Sequence, residues 1–131
     1  MRALAFCLAI LPCAVVASDR PITAEEFERI VTGHTFTYST GGAPYGAEEY
    51  LSNRRVVWSF LDGECATGKW YPAGEHICFI YDQIESPQCW LFFEDGGKLS
   101  AQFAGDVNIT NLFETNRQDE PLYCLGPEIG V

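Results

Sequence analysis

An uncharged apolar run opens the chain, and amphipathic patterns begin only after it. Arg2 precedes this run, and two small residues, Ala17 and Ser18, close it. A basic start, a short apolar core and small residues at its end are typical of a secretory signal peptide, and this core is too short to cross a bilayer. We predict a signal peptide over residues 1–17, cleaved near Ala17 or Ser18, and a single exported domain over residues 18–131.

Cys13 raises a second interpretation of this segment, because lipid attached to an N-terminal cysteine would tether the protein to a membrane. The residue before a lipid-attachment cysteine is normally small, whereas Pro12 occupies that position here. We therefore expect the soluble, cleaved form rather than a lipoprotein.

The first amphipathic pattern predicts a short helix. Thr23 and Glu26 form a capping box, in which the threonine hydroxyl accepts the Glu26 backbone N–H and the glutamate reaches back to the Thr23 backbone. Three apolar positions then share one face at helical spacing: Phe27, Ile30 and Val31. Gly33 suits the position just after a helix cap. We expect two to three turns, with the apolar face packed against the rest of the domain.

From His34 onward the apolar spacing changes to every second residue, which is typical of strands. Turn sequences rich in Gly, Pro, Asp and Asn recur about every ten residues, with no helical pattern between them. The strands predicted between these turns cover residues 34–39, 47–52, 54–61, 68–71, 76–82, 89–94 and 98–103. Consecutive strands joined by tight turns are antiparallel. The predicted fold class is mainly β: an antiparallel meander that curls into a small barrel or a strongly bent sheet, with one short N-terminal α-helix.

The pattern weakens after Ala104. We expect a last strand over residues 106–113 and a polar loop over residues 114–120. The tail over residues 121–131 carries a cysteine and several apolar side chains, so we expect it to lie against the domain.

Four cysteines remain after removal of the signal peptide, and in an oxidising compartment they are expected to form two disulfides. We favour Cys78 with Cys89, which joins consecutive strands, and Cys65 with Cys124, which ties the tail to a turn. A disulfide needs Cα atoms within about 7 Å of each other. If the intervening loop shifts the strand register, Cys65 would reach Cys89 instead.

Three motifs follow one another in the middle of the chain: G-x-W from Gly68, I-C-F-x-Y from Ile77 and C-W from Cys89. In this order they resemble a group of small exported proteins of alphaproteobacteria that carry no assigned activity. The resemblance covers about residues 55–95. It concerns the fold and implies no catalytic or binding role.

The charge of the chain argues against two classes of partner. The sequence has 18 acidic and 8 basic residues and a net charge of −10, and loss of Arg2 makes the domain more negative still. No basic stripe is present to neutralise phosphate groups. We expect no nucleic-acid partner and no membrane insertion after signal cleavage.

Candidate catalytic chemistry is sparse. His34 and His76 have no sequence neighbour that would make either a general base. Glu48 and Glu49 lie on a predicted strand, where adjacent side chains point to opposite faces, so they do not form an acid/base dyad. The cysteines lack the paired spacing of a zinc site. We expect no enzyme activity, no catalytic residue, no metal and no cofactor.

Aromatic residues on the predicted strands are the main candidates for function. Trp58, Trp70, Trp90 and Tyr81 are predicted to line a patch or cavity for a protein partner or a small apolar ligand. In the alternative interpretation they are only core, and the protein is a structural or accessory periplasmic protein without a ligand. Strong quenching of tryptophan emission by iodide or acrylamide would favour the open site. In either case we expect a periplasmic or secreted protein.

Overall fold

A computed structural model describes residues 19–105 and 111–125 of the chain. Within them, eight strands form a closed antiparallel barrel in which each strand pairs with its sequence neighbours and the first pairs with the last. The strands are β1 (Thr35–Thr40), β2 (Ala43–Tyr50), β3 (Arg55–Ser59), β4 (Ala66–Ala73), β5 (His76–Tyr81), β6 (Gln88–Asp95), β7 (Lys98–Phe103) and β8 (Asn111–Gln118). The helix α1 (Ala24–Val31) precedes them. The predicted mainly β meander with a short N-terminal helix is confirmed, and of the two forms predicted for it, a small barrel or a strongly bent sheet, the structure has the barrel.

The capping box starts α1 at the predicted place. The Thr23 hydroxyl accepts the Glu26 backbone N–H at 3.2 Å, and the Glu26 carboxylate accepts the Thr23 N–H at 2.8 Å. Arg20 pairs with the same carboxylate at 2.8 Å. The hydrogen bond from Arg20, followed by that from the Thr23 backbone, lowers the pKa of Glu26 to about 2. The cap therefore stays charged in neutral and mildly acidic solution.

One end of the barrel is closed by α1. Phe27 has no exposed surface, and its ring contacts four aromatic rings of the barrel wall at centroid distances between 4.6 and 6.4 Å. These rings are those of Tyr50, Trp70, Phe79 and Phe92. An eight-stranded barrel is just wide enough for side chains to fill it or for one small ligand. The helix and its neighbours fill the interior at this end.

The buried apolar side chains come from α1, the segment before it and all eight strands, because alternate residues of each strand point inward. They are Ile22, Phe27, Val31, Phe36, Tyr38, Tyr50, Val56, Trp70, Ile77, Phe79, Tyr81, Trp90, Phe92, Leu99, Ala101 and Leu112. The core is therefore the interior of the barrel.

Side chains complete the seam between β7 and β8. Backbone pairing of these strands ends at Phe113, which lies opposite Ser100. Beyond this point the Glu114 carboxylate accepts the Leu99 backbone N–H at 2.7 Å and pairs with Arg117 at 2.9 Å. The buried Glu114 carboxylate thus accepts a hydrogen bond that a backbone carbonyl would accept in a regular pair of strands.

The second strand is longer than predicted: it begins at Ala43 rather than at Ala47 and includes Pro44. The register of β1 and β2 shifts between Tyr38 and Ser39, and Ser39 lies opposite the proline. Such an irregularity tolerates a residue that has no N–H to donate. The sequence Gly-Gly-Ala-Pro is therefore only partly a turn.

The last strand also differs from the prediction. β8 covers residues 111–118, whereas we expected a strand over residues 106–113 and a loop over residues 114–120. Residues 106–110 lie outside the described residues. Polar side chains on the outer face of β8, and a carboxylate at the buried inner position 114, conceal the alternation that marks a half-buried strand.

Both favoured disulfides are present. Cys78 and Cys89 face each other in the register of β5 and β6, and Cys65 is bonded to Cys124 across a sequence separation of 59. Two disulfides are typical of an oxidising, extracytoplasmic environment.

The tail after β8 contacts the barrel as expected. The Leu122 backbone N–H donates to the Glu49 carboxylate at 3.0 Å, and the Leu125 N–H donates to the Gly63 carbonyl. The predicted signal peptide and the tail beyond residue 125 lie outside the described residues. In the part of the chain that is described, no helix has the length and apolarity to cross a membrane.

Candidate functional site

A cavity of about 200 Å³ lies inside the barrel, toward the end opposite α1. The wall nearest α1 is formed by Tyr50, Phe79 and Phe92, whose rings contact Phe27 of the helix. Its mouth is formed by the loops that follow β3 and β5, which contribute Phe60, Asp62, Glu64, Gln83 and Ile84. Nine aromatic side chains line it: Tyr38, Tyr45, Tyr50, Trp58, Phe60, Phe79, Tyr81, Trp90 and Phe92. An aromatic-walled space with few polar groups is typical of small-molecule sites.

Three aromatic rings meet at the mouth of the cavity. Trp58 lies 5.3 Å from Phe60 and 5.8 Å from Tyr45, measured between ring centroids. Gly46 makes room for Trp58, because a Cβ atom there would lie 2.2 Å from the indole ring and 2.7 Å from the Ser59 carbonyl oxygen. The backbone of β2 therefore holds the indole over the barrel opening.

Among the acidic residues that line the cavity, Glu48 is the most deeply buried. Its side chain is on β2, between Gly46 and Tyr50 on the inner face, and the residue is 2% exposed. The Tyr81 hydroxyl donates to both carboxyl oxygens, at 3.0 and 3.1 Å. Among the described residues, no other side chain hydrogen-bonds this carboxyl. Since one hydroxyl has one hydrogen, most of the acceptor capacity of Glu48 stays unused.

Burial disfavours the charged forms of the titratable groups in the cavity. It raises the pKa of Glu48 well above its ordinary value, and the hydrogen bond from Tyr81 opposes this only in part. Burial also raises the pKa of Tyr81, Tyr38 and Tyr50. The Tyr38 and Tyr50 hydroxyls hydrogen-bond each other at 2.9 Å. The cavity therefore combines apolar walls with two hydrogen-bonded pairs, Glu48 with Tyr81 and Tyr38 with Tyr50.

Three of the predicted patch residues come together here and one does not. Trp58, Trp90 and Tyr81 line the cavity. Trp70 lies at the other end of the barrel, where its ring meets Phe27 at 5.1 Å and the Arg54 guanidinium at 4.6 Å. It faces inward like the others but stands nearer the α1 end of β4, so it belongs to the helix contact.

The inward carboxyl was missed by sequence reasoning. The sequence pattern indicates that Glu48 and Glu49 do not form a dyad, and the two do lie on opposite faces of β2. The usable signal was that Glu48 shares the face of Tyr50, so a core-facing strand carries an acid. Six further lining aromatics were also not singled out as site residues: Tyr38, Tyr45, Tyr50, Phe60, Phe79 and Phe92.

The charged residues of the lining are all acidic. Asp62 and Glu64 lie at the mouth and Glu48 inside, and the described lining residues include no Lys, Arg or His. His34 pairs with Asp119 at 2.6 Å on the surface at the α1 end, far from the cavity along the barrel. Within residues 19–105 and 111–125, no three His, Cys, Asp or Glu side chains are placed to share a metal ion.

Comparison of the chain with protein-family models, with curated proteins and with solved structures finds no match. Aromatic walls can enclose an apolar ligand, and the Glu48 and tyrosine hydroxyl groups can orient it by hydrogen bonds.

Proposed function

We propose that this protein is an exported, non-catalytic barrel protein that binds a small, largely apolar ligand inside the barrel. The observation that carries the proposal is the aromatic-lined cavity of about 200 Å³. An apolar protein cavity of about 150 Å³ is large enough to bind benzene. The ligand is therefore of the size of a single ring with a short substituent. The two disulfides support a periplasmic or secreted location.

The orientation of the aromatic side chains favours a small ligand over a protein partner. Trp90 and Tyr81 are 8% and 7% exposed, so a protein surface could not reach them without opening the barrel. Trp58 and Phe60 are more accessible and stand at the mouth, where a ligand would pass. The competing proposal is an accessory structural protein whose aromatics serve only as core.

A titration with small aromatic probes tests the proposal. Benzene, toluene and phenol are added to the purified domain, and binding is followed by calorimetry and by tryptophan fluorescence. We expect saturable binding to the unaltered protein. Ala101→Leu fills part of the cavity, because Ala101 is buried in its wall, and should weaken binding about tenfold or more, which corresponds to about 1.4 kcal/mol.

Ala73→Leu is the matched control, since Ala73 is exposed at the far end of β4. It should bind the probes like the unaltered protein. If no probe binds the unaltered protein, the cavity proposal is wrong and the structural role is favoured.

A further inference from the structure

We propose that the ligand is a small organic cation, a protonated amine carried on a single ring or a short alkyl group, with its ammonium group bound at Glu48. This inference rests on the proposed function, because it names the ligand class for the same cavity. It is carried by the surroundings of Glu48, the aromatic walls and the charges at the mouth.

Among the described residues, no cationic side chain pairs with Glu48. Buried carboxylates in proteins are paired with a cation or stay neutral. The described arginine pairs are Arg20 with Glu26, Arg54 with Glu28 and Arg117 with Glu114, and none of them involves Glu48. A ligand ammonium group would supply the missing charge. It would also donate to the carboxyl oxygens that the single Tyr81 hydroxyl leaves free.

The walls suit the organic part and the charge of such a ligand. Aromatic rings attract a cation within about 6 Å of their faces, most strongly when water is excluded. Trp90, Phe79 and Tyr81 line the same cavity as Glu48. The volume of about 200 Å³ admits one ring or a few carbon atoms beside the ammonium group. A long acyl chain is too large.

The charges at the mouth select against anions. Asp62 and Glu64 lie on the way into the cavity, and the whole chain has a net charge of −10. A negative rim raises the local concentration of cations and repels carboxylates and phosphates. Neutral apolar molecules would gain nothing from this rim.

Uptake of a cation should be linked to pH. A bound ammonium group favours the carboxylate form of Glu48, whereas burial in the free protein favours the protonated form, so binding is coupled to loss of a proton. Affinity should therefore rise with pH until Glu48 is ionised in the free protein. The titratable groups that face it are Tyr81 of β5, Tyr38 of β1 and Tyr50 of β2. Tyr45 acts on Tyr81, and the Glu114–Arg117 pair of β8 acts on Tyr38.

The test compares three probes of one shape and different charge: phenethylamine, phenethyl alcohol and phenylacetate. Each is titrated calorimetrically into the unaltered protein, Glu48→Gln and Glu49→Gln. Glu49→Gln is the matched control, because it makes the same change at the next residue, on the outer face. Glutamine at position 48 keeps the shape and can still accept the Tyr81 hydrogen bond. Thermal melting checks that each variant is folded.

We expect the unaltered protein and Glu49→Gln to bind the amine about tenfold or more tightly than the alcohol, and to bind the anion weakest. Glu48→Gln should bind the alcohol with the affinity of the unaltered protein, but should no longer bind the amine more tightly than the alcohol. Amine affinity should rise with pH above the ordinary carboxyl pKa of 4.5 in the unaltered protein and stay flat in Glu48→Gln.

Equal binding of amine and alcohol, or an amine preference that survives Glu48→Gln, would overturn this inference and leave the proposed function standing. Failure of every probe, neutral aromatics included, would overturn the proposed function as well. If Glu48→Gln does not fold, proton release on amine binding to the unaltered protein, measured in buffers of different ionisation enthalpy, decides the matter. Absence of release then contradicts the inference.

Discussion

Glu48 and Glu49 are neighbours in the chain, yet their carboxyl groups have opposite surroundings. Successive side chains of a strand point to opposite faces, so one acid enters the barrel and the other faces outward. Glu48 is buried against the Tyr81 hydroxyl, whereas Glu49 accepts the Leu122 backbone N–H of the tail. The same residue type thus serves the cavity at one position and anchors the tail at the next.

The stability of the protein should therefore depend on pH through Glu48. Its pKa is raised in the folded state above the ordinary 4.5, so the stability linked to the neutral acid is fully present below that value. It is lost as pH rises through the folded pKa. Glutamine at position 48 has no proton to lose. The free energy of unfolding of Glu48→Gln should therefore increase relative to that of the unaltered protein as pH rises. Denaturant unfolding at a series of pH values above 4.5 measures the difference in free energy of unfolding between the two proteins, with Glu49→Gln as control. Parallel pH profiles for the unaltered protein and Glu48→Gln would contradict the expectation.

At the scale of elements, α1 depends on the barrel and also completes it. An isolated helix of this length is unstable in water, so its stability comes from the contacts of its apolar face. Phe27 supplies most of the aromatic contacts, to rings on β2, β4, β5 and β6. In turn, Phe27 of the helix contacts the rings that form the wall of the cavity nearest α1.

Removing the Phe27 ring should therefore destabilise the whole domain. We expect Phe27→Ala to lower the free energy of unfolding by about 3–5 kcal/mol, because a fully buried aromatic ring leaves a cavity behind. Phe113→Ala is the matched control, since Phe113 on β8 is 52% exposed, and should change stability by about 0.5 kcal/mol or less. Urea unfolding compares the two. Similar losses in both variants would show that Phe27 does not hold the helix in place.

The elements also show how far the sequence predicts this fold and site. Regular turns and alternating apolar positions predicted the antiparallel meander, as a small barrel or a strongly bent sheet, and the capping box predicted the start of α1. β8 was misplaced because its inner position is Glu114, which bonds Leu99 and Arg117 instead of packing as an apolar side chain. The alternation of apolar and polar residues indicates which face of the sheet a side chain is on. The position of that side chain along the barrel axis depends on the stagger of neighbouring strands. Trp70 and Trp58 were therefore both predicted to face one site, although they stand at different levels.

At the scale of the whole molecule, two covalent links reinforce the barrel differently. Cys78–Cys89 joins neighbouring strands that already pair, with a sequence separation of 11. Cys65–Cys124 joins the segment at the cavity mouth to the tail, with a separation of 59. In the chain-entropy model the longer loop restrains the unfolded chain more.

Replacing both Cys65 and Cys124 by alanine should lower the free energy of unfolding by about 2–4 kcal/mol. The reason is the freedom that the unfolded chain regains when the long loop is opened. Denaturant unfolding without reductant measures the loss, and treatment of the unaltered protein with a mild reductant that leaves Cys78–Cys89 intact gives an independent comparison. An unchanged unfolding midpoint would mean that this link adds nothing to the stability of the barrel.

Because β1 pairs with β8, every strand of the barrel has a hydrogen-bonded neighbour on both sides. Among the described residues, no strand therefore has an edge that is free along its whole length. Where backbone pairing of β7 and β8 ends at Phe113, side chains continue the contact: the Glu114 carboxylate accepts the Leu99 N–H and the Arg117 guanidinium donates to the Gly97 carbonyl. We therefore expect a protein partner to recognise side chains or loops rather than to add a strand of its own to the sheet.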